Sequence, residues 1–444
     1  MKRIVGIAAL AAMTASLAMA DVSTSINFRR GTNVFNNPNL SSNKVDFFQL
    51  GDITGTDAFT FKASNEYAGI TLNYNPTSKA DGKTFWSSGN GVEYTAYVNP
   101  IDWLQFKLGV HKDGIFYAEQ AKKDGDDTAW GASGRYAFLY KPGVLTKNSS
   151  GYALDDLTSY QLNGTPFFFA DFKFNEVGPG NLLVRASVAK TGKSFLLTGG
   201  FNPPDKVNKS VPTPGLMVAY KIKDLVDVNV DVQMVSNNDL AAGLYVSPSV
   251  VENLTLMVGG TVSTVFDGKK AAYGARYNSK KTDKTKSKIV TSEKDDATDG
   301  VTFFGIDLRL RYVAGDFHIT NAFNFTGATE DGAVAQGQTI GTNRTGDSNI
   351  WDSLFVTYQL NESWTVTGNL QLQVALGGQT DSKNNVSKTG TLLDLAFTPG
   401  VMYTVTKGTT ITAGLHMAFN DLSDKTSDGR AIGIALPVIF RVKL

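Results

Sequence analysis

Apolar and polar residues alternate with a period of two through almost the whole chain, and this pattern constrains the fold more than any other feature. The segment Val226–Met234 reads VDVNVDVQM, and residues 304–312 read FGIDLRLRY. A period of two places successive side chains on opposite faces of a β-strand. Similar alternation recurs in residues 22–28, 104–110, 168–174 and 366–374. No helical spacing is comparably strong, so the sequence predicts an all-β protein whose strands have one apolar and one polar face.

The first residues of the chain have the organisation of a secretory signal peptide. A charged start (MKR) precedes an apolar run over residues 4–13, and the segment ends in the small-residue motif AMA at residues 18–20. This arrangement predicts cleavage before Asp21. We therefore expect residues 1–20 to be removed and residues 21–444 to form a single domain.

The composition excludes several classes of protein. No apolar run after residue 20 reaches the length of about 20 residues that a transmembrane helix needs, and the mean hydropathy is −0.13. The absence of cysteine excludes a disulfide framework and a thiolate metal site. The 42 basic and 41 acidic residues are balanced, which argues against a basic surface for nucleic acid. A transmembrane β-barrel stays compatible, because only half of each strand has to be apolar.

The connections between the predicted strands alternate between short and long. Tight turns are predicted at residues 223–225, 314–315 and 407–408, whereas residues 267–299 and 327–348 form long polar connections. Transmembrane barrels combine short periplasmic turns with longer external loops. A soluble sandwich has no physical reason to alternate its loop lengths in this way.

The segment 432–444, IGIALPVIFRVKL, has an uninterrupted apolar face that a lipid bilayer would cover directly. Phe440, Val442 and Leu444 lie on that face. The segment resembles the C-terminal strand of a bacterial outer-membrane β-barrel, although the family pattern ends in Phe where this chain has Leu444. We expect it to pair with the strand at residues 22–28 and so remove both sheet edges. Pro437 lacks a backbone donor and predicts either a bulge or a weak point in this seam.

The resemblance to porin-like outer-membrane barrels covers residues 21–444. It implies a transmembrane antiparallel up-and-down β-barrel of about 18–20 strands (range about 16–22), with long external loops and short periplasmic turns. Twenty strands result when residues 130–139 are counted as a strand, and residues 45–50 are a further candidate. The resemblance also implies a location in the bacterial outer membrane and contact with its lipids. Periplasmic chaperones and the barrel-assembly machinery are implied partners, and homo-oligomer formation is left open.

Aromatic residues with a polar edge lie beside the predicted short turns. Each is on the apolar face of its strand, where rings at the level of the lipid headgroups would form a periplasmic girdle. They are Tyr220, Tyr312, Tyr358, Trp364 and Tyr403.

The polar faces carry charges of both signs. We expect these charges to line a hydrated lumen, because basic side chains facing lipid near the midplane cost about 2–4 kcal/mol. A three-residue turn predicts Lys221 opposite Asp227, and a two-residue turn at residues 314–315 predicts Arg311 opposite His318. Arg311 and His318 form a candidate constriction with Arg309. Alternatively, the charges are ion pairs that only stiffen the wall. The other predicted pore-lining residues are Asp307, Asp231, Asp171 and Arg185, and Lys173 and Asp394 are also expected on the inner face.

Few residues of the chain support catalysis or metal binding. It has 3 histidines, and the predicted hairpin register pairs His416 with Thr398. That register leaves Asp394 about 13 Å from His416 along the strand, whereas a catalytic pair needs about 3 Å. We therefore expect no catalytic residues, no metal site and no cofactor.

Together these features favour a porin-like channel for passive diffusion of ions or small hydrophilic solutes. One alternative is a surface antigen or adhesin whose barrel only displays loops. Another is a channel for hydrophobic substrates, similar to fatty-acid transporters. That second alternative requires a segment that plugs the lumen, and residues 31–57 are the candidate plug.

Overall fold

The structure is a computed structural model, and the sequence-derived signal peptide lies outside the residues that it describes. The described residues are 21–37, 40, 45–54, 58–74, 92–110, 166–189, 213–234, 240–249, 251–264, 275–277, 289–290, 302–328, 333–334, 348–376, 378–380, 386–389, 392–420, 422 and 431–444. Within these ranges no helix is long and apolar enough to cross a membrane.

The described secondary structure consists of β-strands, as the alternating sequence predicts. In chain order they are β1 (Asp21–Asn37), β2 (Asp46–Thr54), β3 (Ala58–Ser64), β4 (Ala68–Tyr74), β5 (Val92–Ile101), β6 (Leu104–Val110), β7 (Pro166–Val177), β8 (Gly180–Ala189), β9 (Thr213–Ile222), β10 (Val226–Met234), β11 (Leu240–Pro248), β12 (Leu254–Thr264), β13 (Ala275–Tyr277), β14 (Ile289–Val290), β15 (Thr302–Ala314), β16 (Phe317–Ala328), β17 (Ala333–Val334), β18 (Ser348–Gln359), β19 (Trp364–Leu376), β20 (Gly378–Thr380), β21 (Val386–Thr389), β22 (Leu392–Thr406), β23 (Thr409–Gly414), β24 (His416–Asn420) and β25 (Ala431–Lys443).

Twenty of these strands form one antiparallel sheet. β2 and β3 pair with consecutive parts of β1, and β23 and β24 lie consecutively between β22 and β25. Each of these two pairs is one interrupted strand of the barrel wall, so the twenty strands of the sheet count as eighteen wall strands. Because β25 pairs with β1, every one of the eighteen wall strands has two neighbours, and the sheet is closed into a barrel. The predicted fold class is confirmed, at the lower end of the expected strand number.

Two details of the sequence-based strand assignment are wrong. β6 pairs directly with β7, with Leu104 opposite Phe172, so these two strands are neighbours in the wall and no further wall strand lies between them. The strand predicted there, residues 130–139, lies outside the described ranges. The proposed plug at residues 31–57 is also contradicted, because residues 31–37 belong to β1 and Asp46–Thr54 is a wall strand. Local propensity could not distinguish a wall strand from a segment folded into the lumen.

Side-chain exposure is inverted relative to a soluble protein. On β19, Val366 and Leu370 are each 41% exposed, whereas Thr367 is 3% and Asn369 is 2% exposed. The same alternation continues around the ring, with large apolar residues exposed on one face and polar residues buried on the other. A lipid bilayer covers an apolar outer face of this kind, and the polar face lines the lumen.

The first and last strands form the seam as predicted, but β25 pairs mainly with Asn27–Asn37 of β1 and not with residues 22–28 as expected. Phe28 lies opposite Val442, and Ile26 and Leu444 exchange two backbone hydrogen bonds of 2.9 Å. The register shifts between Asn33 and Phe35, opposite Pro437. The bulge expected at this proline is therefore present, with the extra residue on β1.

The short connections are stabilised by local hydrogen bonds. The Asn65 Oδ1 atom accepts from the backbone N–H groups of Tyr67 and Ala68 at 2.9 and 2.8 Å. Asn361 accepts from Ser363 and Trp364 in the same way, both at 2.9 Å. Such Asx turns suit asparagine because its short side chain reaches the N–H groups that follow it. Short turns lie on the periplasmic side of transmembrane barrels, so this end of the barrel is its periplasmic rim.

Candidate functional site

The best-defined part of the inner wall is an ion pair between Asp171 on β7 and Arg185 on β8. The two residues lie directly opposite each other. The Arg185 guanidinium donates from Nε to Asp171 Oδ1 at 2.5 Å and from Nη2 to Oδ2 at 2.8 Å. Both side chains are buried in the wall, Asp171 at 1% exposure. Bidentate geometry of this kind is among the strongest arrangements of a carboxylate and an arginine.

Lys173, which was expected on the inner face, extends this ion pair into a network with three residues that the prediction did not name. The three are Asn99, Gln105 and Lys107. Lys107 Nζ lies 3.1 Å from Asp171 Oδ2. Lys173 Nζ donates to Gln105 Oε1 at 3.3 Å. The Gln105 Nε2 group donates in turn to Asn99 Oδ1 at 2.7 Å. All of these residues share the inward parity of β5, β6 and β7, so the alternating pattern contained the signal for them.

The predicted pairing of Lys221 with Asp227 is confirmed. Lys221 on β9 lies opposite Asp227 on β10, and Lys221 Nζ is 3.4 Å from Asp227 Oδ2. The two side chains are 32% and 16% exposed. This pair was predictable because a three-residue turn at residues 223–225 fixes the register of the hairpin.

The register predicted for the β15–β16 hairpin is wrong by two residues. Arg311 lies opposite Thr320, and His318 lies opposite Val313. The turn consists of Gly315 and Asp316 instead of Ala314 and Gly315. Gly315 adopts a positive φ of 58°, which glycine reaches without steric cost. Arg311 and His318 still share the inner face but are offset diagonally across the hairpin.

The remaining predicted pore-lining residues have a described strand position. Arg309 lies opposite Ala322 and Asp307 opposite Asn324 on β15 and β16. Asp231 on β10 lies opposite Met217 on β9 and Gly243 on β11. Their side chains are outside the described set, so their place in a pore stays a prediction.

His416 on β24 is the most deeply buried ionisable group of the described inner wall, with 0% exposure. Its Nδ1 atom lies 2.8 Å from Thr398 Oγ1, so the predicted pairing with Thr398 is confirmed. Within the described ranges, no group of three or more His, Asp or Glu side chains could hold a metal ion.

The described charges of the inner face are predominantly positive. Asp171 and Asp227 are its carboxylates, and Asp21 adds one at the tip of β1. The cations are Lys62, Lys107, Lys173, Arg185, Lys221, Arg311 and Arg441. Among described side chains, the wall therefore presents more than twice as many cations as carboxylates.

The periplasmic rim has the opposite sign. Seven of the eight short turns in the described part of the chain carry an exposed carboxylate, and the eighth carries Lys407. A second exposed lysine, Lys223, lies beside Asp224 in its turn. The turn carboxylates are Glu66, Asp102, Glu176, Asp224, Glu252, Asp316 and Glu362. A basic wall therefore opens through an acidic rim.

The predicted aromatic girdle lies at the same end of the barrel. Tyr358 is 49%, Trp364 44% and Tyr312 39% exposed on the outer face. Trp364 and Tyr403 are cross-strand partners whose ring centroids are 4.9 Å apart. The Tyr220 hydroxyl donates to the Val177 carbonyl at 2.7 Å. Rings that contact both apolar surface and polar backbone suit the headgroup region of a bilayer.

The closed antiparallel ring, the apolar outer band with its aromatic girdle and the charged inner wall define an outer-membrane β-barrel. The predicted class and location are confirmed by this architecture.

Comparison with solved structures identifies proteins of similar overall fold. The chain is similar to OmpT, an outer membrane protein of Vibrio cholerae, at 12% identity and a TM-score of 0.45, over 96% of this chain and 98% of that one. It is also similar to OccK2 (OpdF) of Pseudomonas aeruginosa, at 10% identity and a TM-score of 0.48, with the same coverage. OccK8 (OprE) of the same organism matches at 10% identity and a TM-score of 0.46. No protein-family model and no curated protein matches the sequence.

Proposed function

We propose that the protein is an outer-membrane channel for passive diffusion of ions or small hydrophilic solutes. One observation carries the proposal: eighteen wall strands form a closed ring whose inner face is polar and charged. Barrels of 16–18 strands are wide enough to leave an aqueous channel. The solute moves through without a covalent step, so the wall residues act by charge and hydrogen bonding.

Conductance in planar lipid bilayers tests this function. Purified, folded protein should produce discrete, long-lived current steps at neutral pH. Folding is verified on the same sample by strand-rich circular dichroism and by slower gel migration after boiling. A barrel that passes both checks and carries no current would overturn the channel function.

A surface-display role is supported by a separate observation. β13 and β14, which lie between β12 and β15, form a small sheet with β17, which lies between β16 and β18. Two long connections of the barrel are therefore joined to each other by backbone pairing. Deletion of residues 267–299 tests this role. Loss of binding to host cells with unchanged conductance would favour display in addition to transport.

The channel for hydrophobic substrates has lost its specific support. It required residues 31–57 as a plug, and most of that segment pairs in the wall as parts of β1 and β2. The lumen wall next to it is polar, with Asn33 and Asn36 buried on the inner face.

A further inference from the structure

The network around Asp171 combines three cations with one carboxylate. Arg185 binds both oxygens of Asp171, and Lys107 contacts Oδ2 as well. Lys173 instead donates to the neutral amide oxygen of Gln105. The network, which we call the Asp171 cluster (Lys107, Asp171, Lys173 and Arg185), therefore has an excess of two positive charges.

The geometry of the Asp171 cluster presents its cations to the lumen in preference to its carboxylate. The Lys107 side chain is 21% exposed, whereas that of Asp171 is 1% exposed. Lys173 is half-buried. A solute in the lumen therefore meets the ammonium groups first, and the carboxylate lies behind them in the wall. Each ammonium has three N–H donors, which suits it to an oxygen-bearing anion.

We propose that the lumen prefers anions and that the Asp171 cluster binds the oxyanion group, carboxylate or phosphate, of a passing solute. This inference rests on the proposed channel function and specifies its substrate class. Among the described side chains, the cations Lys62, Arg311 and Arg441 also lie on the inner face. Rings and clusters of Arg and Lys select anions in pores by this electrostatic effect.

The acidic rim opposes this preference only weakly. Its carboxylates lie on exposed turns, where bulk ions screen them beyond about 10 Å at 0.1 M salt. Charges on the lumen wall lie against low-dielectric protein and bilayer and are enclosed by the barrel, so bulk ions screen them less. The wall therefore dominates the selectivity, and the rim modifies it.

Reversal potentials across a potassium chloride gradient at or below 0.1 M test the preference. The unmodified channel should be selective for chloride. Lys173→Gln should lower the ratio of chloride to potassium permeability by about two-fold or more, because its partner Gln105 is neutral and no carboxylate loses a counter-charge. Lys173→Arg should restore the ratio. Lys407→Gln removes the same charge from an exposed turn outside the lumen, and it should leave the ratio nearly unchanged.

The outcomes separate this inference from the channel function. A conducting channel that prefers potassium, or a Lys173→Gln variant with an unchanged ratio, would overturn the anion preference and leave the channel intact. A folded protein without conductance would overturn the channel itself. Asp171→Asn removes a negative charge from the cluster, whereas Lys173→Gln removes a positive one. A folded Asp171→Asn channel should therefore prefer chloride more strongly than the unmodified channel.

Current block tests whether the cluster binds an oxyanion. Inorganic phosphate and acetate, added separately at constant ionic strength, should reduce the chloride current in proportion to their occupancy of the site. Block by phosphate alone or by acetate alone identifies the preferred group. Lys173→Gln should weaken the block, with Lys407→Gln as the control. Absence of block by either anion in the unmodified channel would mean that the wall selects by charge without binding.

Discussion

At the scale of single residues, the bilayer and the lumen impose opposite requirements on charge. Asp171 is buried on the inner face with two cationic partners. Asp352 on β18 shares the outward parity of Tyr358, and its Oδ1 accepts from Asn321 Nδ2 at 2.8 Å. An outward carboxylate on a lipid-facing strand costs free energy that depends on its depth. Neutralising Asp352 and neutralising Asp171 should therefore change the free energy of unfolding in opposite directions.

We predict that Asp352→Asn stabilises the folded barrel and that Asp171→Asn destabilises it. Removal of the outward charge should raise the free energy of unfolding by about 1–2 kcal/mol. Removal of Asp171 takes the bidentate carboxylate away from the buried Arg185 guanidinium, which costs about 3–5 kcal/mol. Urea unfolding in lipid vesicles, followed by tryptophan fluorescence, measures both. Two changes of the same sign would mean that one of the faces is misassigned.

Gly69 is a residue whose size is constrained by a cross-strand ring. It lies opposite Tyr97, and a Cβ atom at this position would overlap with the Cε1 atom of the Tyr97 ring. We predict that Gly69→Ala lowers the free energy of unfolding by about 1–3 kcal/mol, because the ring must move away from the backbone.

Gly368 is the matched control for this substitution, because a Cβ atom there would contact nothing within 4 Å. Gly368→Ala should change the unfolding midpoint little. Equal effects at both positions would show that strand propensity, and not the Tyr97 ring, decides the cost.

At the scale of elements, the barrel depends on the pairing of β1 with β25. No local turn connects these strands, so their register is set by matching apolar faces and by the bulge opposite Pro437. Directly opposite residues in an antiparallel pair have Cα atoms about 4.5–5.5 Å apart, within the range that a disulfide can bridge.

We predict that the double variant Phe28→Cys, Val442→Cys forms a disulfide across this seam. The chain has no cysteine of its own, so the bond is detected by a reductant-sensitive change in gel mobility. The matched control combines Phe28→Cys with Val438→Cys, whose partner in the register is Thr32. Efficient cross-linking of the control pair would contradict the register.

At the scale of the whole molecule, charge is distributed along the barrel axis. Among the described side chains, the inner wall carries mainly cations and the periplasmic rim mainly carboxylates. Neutralising the rim turns should therefore affect selectivity differently from neutralising the wall.

We predict that the triple variant Glu66→Gln, Glu176→Gln, Glu362→Gln changes the permeability ratio less than Lys173→Gln alone at 0.1 M salt, because exposed charges are screened within about 10 Å. The changes in permeability ratio caused by the triple variant and by Lys173→Gln should become more similar at 0.01 M salt, where the screening length is about 30 Å. Reversal potentials at the two concentrations measure it. A larger effect of the rim at 0.1 M would place the selective region at the mouth.

The sequence by itself determined the fold class, the facing of the strands and the closing pair. A period of two is a local property, and it assigned Tyr312, Tyr358 and Trp364 to the outer face and Asp171 to the inner face. The Lys221–Asp227 pair followed as well, because a short turn fixes hairpin register. Such features depend only on neighbouring residues.

Tertiary structure decided what depends on distant parts of the chain. Direct pairing of β6 with β7 across residues 111–165 removed a predicted strand, and the continuity of β2 and β3 along β1 placed the supposed plug in the wall. The Asp171 cluster also required three strands to lie side by side. Alternation shows that Lys107, Asp171 and Arg185 face inward, but only the pairing of β6, β7 and β8 brings their charges within hydrogen-bonding distance.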